Sequence, residues 1–168
     1  MSARSGRAQI HTRLRDNDCV LSRAGSKGYA ETLDQLLHAI TRRGLTVFAQ
    51  FDHAAAAGEV DMDLAPEIVV VFGNPRSGTP LMQADPRIGI ELPLRIVLWG
   101  GDESSVIGYN DPRALADLYN VGEHAQTLHA MAALLADLAQ EPPPDSGCAR
   151  KRSSGPPLHG GASRAVVP

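Results

Sequence analysis

The chain has few aromatic residues, few cysteines and no long apolar run. Aromatic residues make up 4% of its 168 residues, so a core must be built from Leu, Val, Ile and Ala. The two cysteines, Cys19 and Cys148, define no disulfide framework. No apolar stretch approaches the roughly 18 residues that a membrane-spanning helix needs. These absences predict one domain without a membrane segment, and we expect it in the cytoplasm.

Basic residues are scarce in the middle of the chain. Residues 1–27 hold six Lys and Arg against two Asp, and residues 141–168 hold four against two acids. Residues 28–140 hold six basic and fifteen acidic residues, although the net charge of the whole chain is only -3. An acidic surface repels phosphate backbones, so we expect no nucleic-acid partner for the folded part.

The composition changes at two points along the chain. Residues 1–17 show no hydrophobic periodicity and are predicted to be a disordered lead-in. Residues 141–168 begin with Glu and three Pro and continue with Ser, Gly, Pro and basic residues. Such a segment buries too little apolar surface to offset its chain entropy, so it is predicted to be a disordered tail. A single domain is expected over residues 18–140.

The apolar pattern within that domain mixes two periods. Helices are predicted from the three- and four-residue spacing over 29–40, with Gly28 as N-cap, and over 123–139. Strands are predicted at 19–22, 45–52, 67–72, 94–99 and 106–109, the last two as a hairpin. This order predicts an α+β two-layer sandwich, a mainly antiparallel sheet covered by helices on one face.

The other face of such a sheet needs a cover as well. In strand 45–52, Leu45, Val47, Ala49 and Phe51 alternate with Phe48, which we therefore place on the face away from the helices. Val97 and Trp99 are expected to join it there. We expect this face to mediate homodimer formation or to bind a ligand.

The segment Phe72–Met82, FGNPRSGTPLM, follows the most strand-like run of the chain. Its Gly73 and Gly78 have the spacing of a phosphate-binding loop, but Thr79 and Pro80 replace the required Lys and Ser/Thr. This mismatch excludes a nucleotide triphosphatase. A weaker hypothesis keeps Thr79 as N-cap and Pro80 as first helical residue, with Arg76 nearby, as a site for a carboxylate or phosphate; the alternative is a loop whose Gly and Pro only shape the chain.

Two further polar segments lie at predicted strand ends. Asp52-His53 offers a carboxylate beside an imidazole, the pair that general-base chemistry uses, although neighbouring strand residues point to opposite faces. Tyr109-Asn110-Asp111-Pro112 combines a phenol, an amide and a carboxylate at a strand-to-helix corner, where Asp-Pro also suits a helix start.

Metal chemistry has little support in the sequence. His124 and His129 are five residues apart and do not share a helix face, so no zinc site is predicted. His53 and Met82 are soft ligands that suit haem or copper, but a methionine after a helix start more often fills a core.

Four blocks of the sequence resemble the bacterial domain-of-unknown-function family 302. The blocks cover about residues 18–139, in the order of the family: GLTVFAQFDHAAAA at 44–57, FGNPRSGTPLMQADP at 72–86, LPLRIVLW at 92–99 and YNDP at 109–112. The resemblance implies a small two-layer α/β domain that forms dimers in at least some members, and it carries no established activity. The positions that match the family pattern are Asp52, His53, Gly73, Asn74, Pro75, Gly78, Thr79, Pro80, Met82, Tyr109, Asn110 and Asp111.

The first functional hypothesis is a non-enzymatic module that binds a small, anionic ligand. The expected pocket lies between the 74–82 loop, His53 and Tyr109. The ligand-binding candidates are His53, Asn74, Arg76, Gly78, Thr79, Met82, Tyr109 and Asn110. Two alternatives remain: an enzyme with His53 as general base oriented by Asp52 or Asp111, and haem or soft-metal binding through His53 and Met82. The sequence names neither ligand nor cofactor, and all three hypotheses require His53 near the loop.

Overall fold

The computed structural model describes residues 20–140. The predicted lead-in and tail, with Cys19 and Cys148, lie outside the described residues, and the domain boundaries at 17 and 140 stay predictions. Within the described part no helix is long and apolar enough to cross a bilayer.

The centre of the fold is a five-stranded sheet in which all neighbours are antiparallel. The strand order across the sheet is β1-β5-β4-β3-β2, so β1 and β2 form its edges. The strands are β1 Val20–Gly25, β2 Thr46–Asp52, β3 Glu67–Gly73, β4 Leu94–Gly100 and β5 Ser105–Asn110. The predicted hairpin of the last two strands is confirmed.

Residues 20–140 also form five helices and three short 3-10 segments, which lie between the strands or after β5. The helices are α1 Tyr29–Arg42, α2 His53–Gly58, α3 Pro75–Ala84, α4 Leu115–Leu118 and α5 Ala125–Leu138. The 3-10 segments are Pro86–Ile90, Pro112–Ala114 and Gly122–His124.

The core lies on one face of the sheet. Alternate residues of the three central strands are buried there against the apolar sides of the helices, as period-two alternation requires. On the helix side, α5 contributes an apolar stripe of Leu128, Met131, Leu135 and Leu138. The predicted α+β sandwich with helices on one face is therefore confirmed.

Helix α1 begins where the sequence predicts and ends two residues later than predicted, at Arg42. Gly28 is its N-cap, and Gly44 adopts the left-handed conformation beyond its end, with a φ of 69°. The start of the helix is pressed against the β4–β5 turn, since the amide of Tyr29 donates a 2.8 Å hydrogen bond to the carbonyl of Gly101. A Cβ at position 28 would lie 2.2 Å from the carbonyl oxygen of Asp102, so this contact requires glycine.

The predicted alternation of β2 is wrong in its second half. The register shifts between Val47 and Ala49, where a β-bulge inserts Phe48. Val47 pairs with the buried Phe72, but after the bulge Phe51 pairs with Val69, on the face away from the helices. One extra residue exchanges the two faces of the strand, and this brings Phe51 rather than Phe48 to the open face.

Helix α3 begins earlier than predicted. Its N-cap is Asn74, whose side-chain oxygen accepts a 2.9 Å hydrogen bond from the amide of Arg76, and Pro75 is its first residue. The predicted pair of Thr79 and Pro80 lies inside the helix instead. Both Asn-Pro and Thr-Pro fit a helix start, and the structure uses the first of them.

The open face of the sheet is apolar. Strand register places Val69 and Val71 of β3, Val97 and Trp99 of β4, and Val106 of β5 on this face, all half-buried. The edge residue Phe51 joins them with 55% of its surface exposed. An antiparallel sheet with one face in water normally presents polar residues there, so this face has the composition of a covered surface.

Candidate functional site

The structure separates the segments that were expected to meet. Asp52, which precedes His53, pairs with Ile68 at the start of β3, whereas Gly73, which precedes Asn74, pairs with Thr46 at the start of β2. Because the two strands are antiparallel, the chain leaves β2 and β3 at opposite ends of the sheet. Seven residues of strand put roughly 20 Å between the two ends. The expected pocket between His53 and the 74–82 segment is therefore not formed.

The carboxylates proposed to orient His53 have other partners. Asp52 caps α2, with its side chain accepting a 2.8 Å hydrogen bond from the amide of Ala55. Asp111 caps the next 3-10 segment and binds the guanidinium of Arg113, which lowers the pKa of that carboxyl. Asp111 follows the last residue of β5, at the sheet end opposite to His53. The proposed base and Asp111 are thus not assembled.

The same separation applies to the soft-metal hypothesis. Met82 lies in α3 beyond Asn74, at the far end of the sheet from His53, so the two side chains cannot share a metal or haem iron. Among residues 20–140 no group of three or more His, Cys, Asp and Glu side chains has the geometry of a metal site.

A cleft of about 300 Å³ lies at the end of the sheet where β3 runs into α3. Its walls come from the β2 bulge, the first turns of α3, the segment before β4 and one side of α5. The residues that line it are Leu45, Phe48, Gly73, Asn74, Pro75, Ser77, Gly78, Thr79, Met82, Leu92, Pro93, Leu94, Thr127, Ala130, Met131 and Leu134. We call this the α3 cleft.

The α3 cleft is uncharged and mainly apolar. None of the described residues that line it carries a formal charge, and its polar side chains are Asn74, Ser77, Thr79 and Thr127. The first amides of α3 are already satisfied, since those of Ser77 and Gly78 donate to the carbonyl of Asn74. An anion would find neither a cation nor free amide donors here. The cleft suits a neutral ligand.

The cleft includes half of the predicted ligand-binding residues. Asn74, Gly78, Thr79 and Met82 line it, whereas His53, Arg76, Tyr109 and Asn110 do not.

Tyr109 lies in the core. It is on the helix-facing side of β5, where burial raises the pKa of its phenol. Its neighbour Asn110 is exposed at the end of the same strand.

Sequence reasoning missed the contribution of α5. Thr127, Ala130, Met131 and Leu134 recur at three- and four-residue spacing, which forms a second stripe beside the one that packs into the core. This second stripe is a signal in the sequence. No such signal marks Phe48, because only the bulge brings its side chain to the cleft, where it is 49% exposed.

An ion pair between the buried Asp85 and the exposed Arg87 anchors the end of α3. Asp85 is 5% exposed and accepts hydrogen bonds from Nε and Nη2 of Arg87, at 3.0 and 2.7 Å, and from the amide of Asn120, at 3.0 Å. These donors hold the pKa of the Asp85 carboxyl well below its ordinary value. The pair ties the helix that forms the cleft wall to the segment before α5.

Comparison with curated proteins finds partial relatives of much greater length. The chain is 37% identical over 94 residues to fluoride-specific ion channel FluC 1 of Brucella suis, and equally similar to FluC 2 of Brucella melitensis. The match covers 55% of this chain, but only 37% of the first relative and 35% of the second. The chain therefore spans about a third of the length of these relatives.

A solved structure and a family model each match most of the chain. The crystal structure of an uncharacterized conserved DUF302 protein from Bacillus stearothermophilus has a similar fold, with a TM-score of 0.64 at 21% identity. The similarity covers 71% of this chain and 94% of that one. Residues 21–138 match the family described as "Domain of unknown function DUF302". The chain belongs to the DUF302 family.

Proposed function

We propose that the chain is a non-enzymatic module that binds a small, neutral and mainly apolar molecule in the α3 cleft. The observation that carries this proposal is the composition of the cleft, an open apolar volume of about 300 Å³ with four uncharged polar side chains at its wall. Binding sites for small molecules have this character, with apolar walls and a few polar groups that fix orientation, in volumes of roughly 300–1,000 Å³.

The polar groups of the cleft suggest how such a ligand would be oriented. Ser77 and Thr79 lie on α3, and Thr127 faces them from α5. A ligand with one carbonyl or hydroxyl group would satisfy these hydroxyls while its apolar body contacts Met82 and Leu134. This arrangement favours a short acyl or ring compound over a charged metabolite.

A fluorescent neutral probe tests the proposal. N-phenyl-1-naphthylamine is expected to bind the purified protein with increased emission, and Ala130→Phe is expected to abolish this binding because the new ring fills the cleft. Ala133→Phe is the matched control, since Ala133 is exposed on the same helix and does not line the cleft. Equal probe binding by both variants and the wild type would refute the assignment of the cleft.

We further propose that a second copy of the chain covers the open sheet face. Two charged residues of opposite sign, Glu67 and Arg95, lie on this face among the described residues. The face is therefore neutral, while residues 20–140 hold fifteen acidic against eight basic residues. Two copies repel each other least when they meet by this face. Packing two such faces would remove Phe51, Val71 and Trp99 from water.

Sedimentation velocity tests the dimer. The wild type is expected to sediment as a dimer, and Val106→Glu as a monomer, because a carboxylate opposite Trp99 in the interface would be buried without a partner. Ile90→Glu removes an apolar side chain that is 75% exposed elsewhere, and it should leave the dimer intact. A wild type that stays monomeric at high micromolar concentration would contradict the proposal.

A second candidate function follows from the partial relatives. Because the chain matches about a third of proteins named fluoride-specific ion channels, it is a candidate partner of such a channel rather than its pore. Deleting the gene from its host should then lower resistance to fluoride, and expression of the full chain should restore it. Unchanged growth of the deletion strain in fluoride would argue against this function.

A further inference from the structure

A second cavity, of about 290 Å³, lies at the opposite edge of the fold, between β1, α1 and the end of α5. Four cationic side chains from three parts of the chain line it. They are Arg23 of β1, Lys27 of the following loop, and Arg42 and Arg43 at the end of α1. We call this the basic cavity.

The concentration of positive charge in the basic cavity is unusual for this chain. Residues 20–140 hold eight basic residues, and four of them line this one cavity. Ion pairs occur inside and outside the cavity: Lys27 with Glu31 and Arg43 with Asp137 inside it, and Arg87 with Asp85, Arg95 with Glu91 and Arg113 with Asp111 elsewhere. Among the described residues of the lining, Asp137 is the one acidic residue.

The helix dipole explains only part of this cluster. Arg42 and Arg43 lie at the negative end of α1, and Arg43 also contacts Asp137 and donates a 3.1 Å hydrogen bond to the carbonyl of Ala39. Lys27, in the loop after β1, pairs with Glu31 of α1, whereas Arg23 comes from the sheet edge, where neither the helix dipole nor α1 pairing explains it. Arg23 pairs with Ile107 and so lies on the helix-facing side of the edge strand.

The floor of the basic cavity is rigidly built. Ser105 is 2% exposed, and its Oγ lies 2.9 Å from the carbonyl oxygen of Lys27 and 2.8 Å from the hydroxyl of Thr32. These contacts hold the backbone of Lys27 against β5 and α1. The Lys27 ammonium is positioned in turn by Gln35, 3.0 Å away, and Glu31, 3.1 Å away. The cationic groups thus surround a floor that the hydrogen bonds of Ser105 fix.

We propose that the basic cavity binds a small organic anion with at least two negative charges, carried by phosphate or carboxylate groups. Arginine guanidinium groups donate paired hydrogen bonds to either group, and lysine adds a point charge. The cavity volume of about 290 Å³ is far larger than a single halide fills. Leu36 and Leu138 also line the cavity, and these apolar side chains fit the carbon part of such a molecule.

Pyrophosphate and citrate are the probes that test this inference, and titration calorimetry of the full chain is the measurement. At least one of the two is expected to bind, and the stronger one identifies the preferred group. Arg23→Gln is expected to weaken that binding roughly tenfold, the loss of one charge-assisted hydrogen bond. Arg23→Lys keeps the charge and should retain most of the affinity. Sodium fluoride and sodium chloride at matched ionic strength should give no binding heat.

Two controls keep the test independent of folding and of the α3 cleft. Arg95→Gln removes a cation on the open sheet face and should leave the affinity unchanged. Ala130→Phe, which fills the α3 cleft, should also leave it unchanged, so failure of one site is distinguishable from failure of the other. Amide chemical-shift changes in the wild type are expected around Lys27, Thr32 and Ser105. Absence of binding by both probes, or equal affinity in Arg23→Gln and the wild type, would overturn the proposal.

Discussion

The α3 cleft and the basic cavity have almost the same volume, about 300 and 290 Å³, and opposite chemistry. The described residues of the cleft wall carry no formal charge, whereas the basic cavity holds four cations and one acid. They are also anchored differently. The wall of the cleft ends at the ion pair of the buried Asp85 with Arg87, and the floor of the basic cavity is held by the hydroxyls of Ser105 and Thr32. Since the volumes are almost equal, the two proposed ligand classes differ because of side-chain chemistry and not because of cavity volume.

The largest effect is expected at Gly28, beside the basic cavity, where the start of α1 and the β4–β5 turn come closest. Gly28→Ala should lower the free energy of unfolding by about 3 kcal/mol, because its Cβ would meet the backbone of Asp102 and force the start of α1 away from the β4–β5 turn. Gly58→Ala is the control, since a Cβ there meets no atom within 4 Å. Urea unfolding measures both. Equal stability of the two variants would show that the turn yields easily.

The next effect tests the anchoring of the basic cavity. Ser105→Ala should cost about 2 kcal/mol, because the half-buried carbonyl of Lys27 and hydroxyl of Thr32 lose the Ser105 hydroxyl and keep only their long 3.5 Å hydrogen bond to each other. Ser104→Ala, at an exposed neighbouring position, should change the stability by less than about 0.5 kcal/mol. The same urea titrations give both values. A neutral Ser105→Ala would mean that the hydroxyl network does not hold the floor.

A smaller effect is expected at the α3 cleft. Asn74→Ala should cost about 1 kcal/mol, the usual value for an N-cap, because the amide of Arg76 loses its acceptor. Asn74→Asp keeps the acceptor and should retain the stability. Thermal unfolding of the three proteins at neutral pH makes the comparison, and identical melting temperatures for Asn74→Ala and the wild type would contradict the capping role.

The last effect is expected only at acidic pH, where it distinguishes the Asp85 anchor of the α3 cleft from the Ser105 anchor of the basic cavity. The pKa of Asp85 is depressed by Arg87 and the amide of Asn120, so its stabilising contribution is present above the ordinary carboxyl pKa of about 4. That contribution is lost as the pH falls below this value through the depressed pKa of the folded state. Asp85→Asn should flatten the decline of melting temperature between pH 4 and pH 2, and Ser105→Ala should not. A parallel decline in Asp85→Asn would remove Asp85 as its cause.

The elements themselves could be predicted from the sequence. Helix α1 has marked ends at Gly28 and Gly44, and its apolar spacing is regular. The stripe of α5 and the β4–β5 hairpin follow from periodicity in the same way. Local rules suffice for these elements because each buries one face at the spacing of its own backbone geometry.

The candidate site was harder to predict, for two local reasons. The 72–82 segment contains Asn74-Pro75 and Thr79-Pro80. Both pairs fit a helix start, so sequence rules alone do not choose Asn74 over Thr79 as the N-cap. The bulge at Phe48 leaves no mark in the alternation of β2, yet it reverses the faces of every later residue of the strand. Phe48 consequently lines the cleft, and the open face receives Phe51.

The sequence by itself determined that this chain forms an α+β sandwich with its helices on one face of the sheet. Apolar residues recur every two residues in strands and every three to four in helices, and these periods assign burial one element at a time. Only the tertiary structure decided which polar ends share a space. Antiparallel pairing of β2 and β3 puts His53 and Asn74 at opposite ends of the sheet, and the docking of α1 and α5 creates two cavities of different charge. Proximity between residues far apart in the chain depends on strand direction and register, which are properties of pairs of elements rather than of any single one.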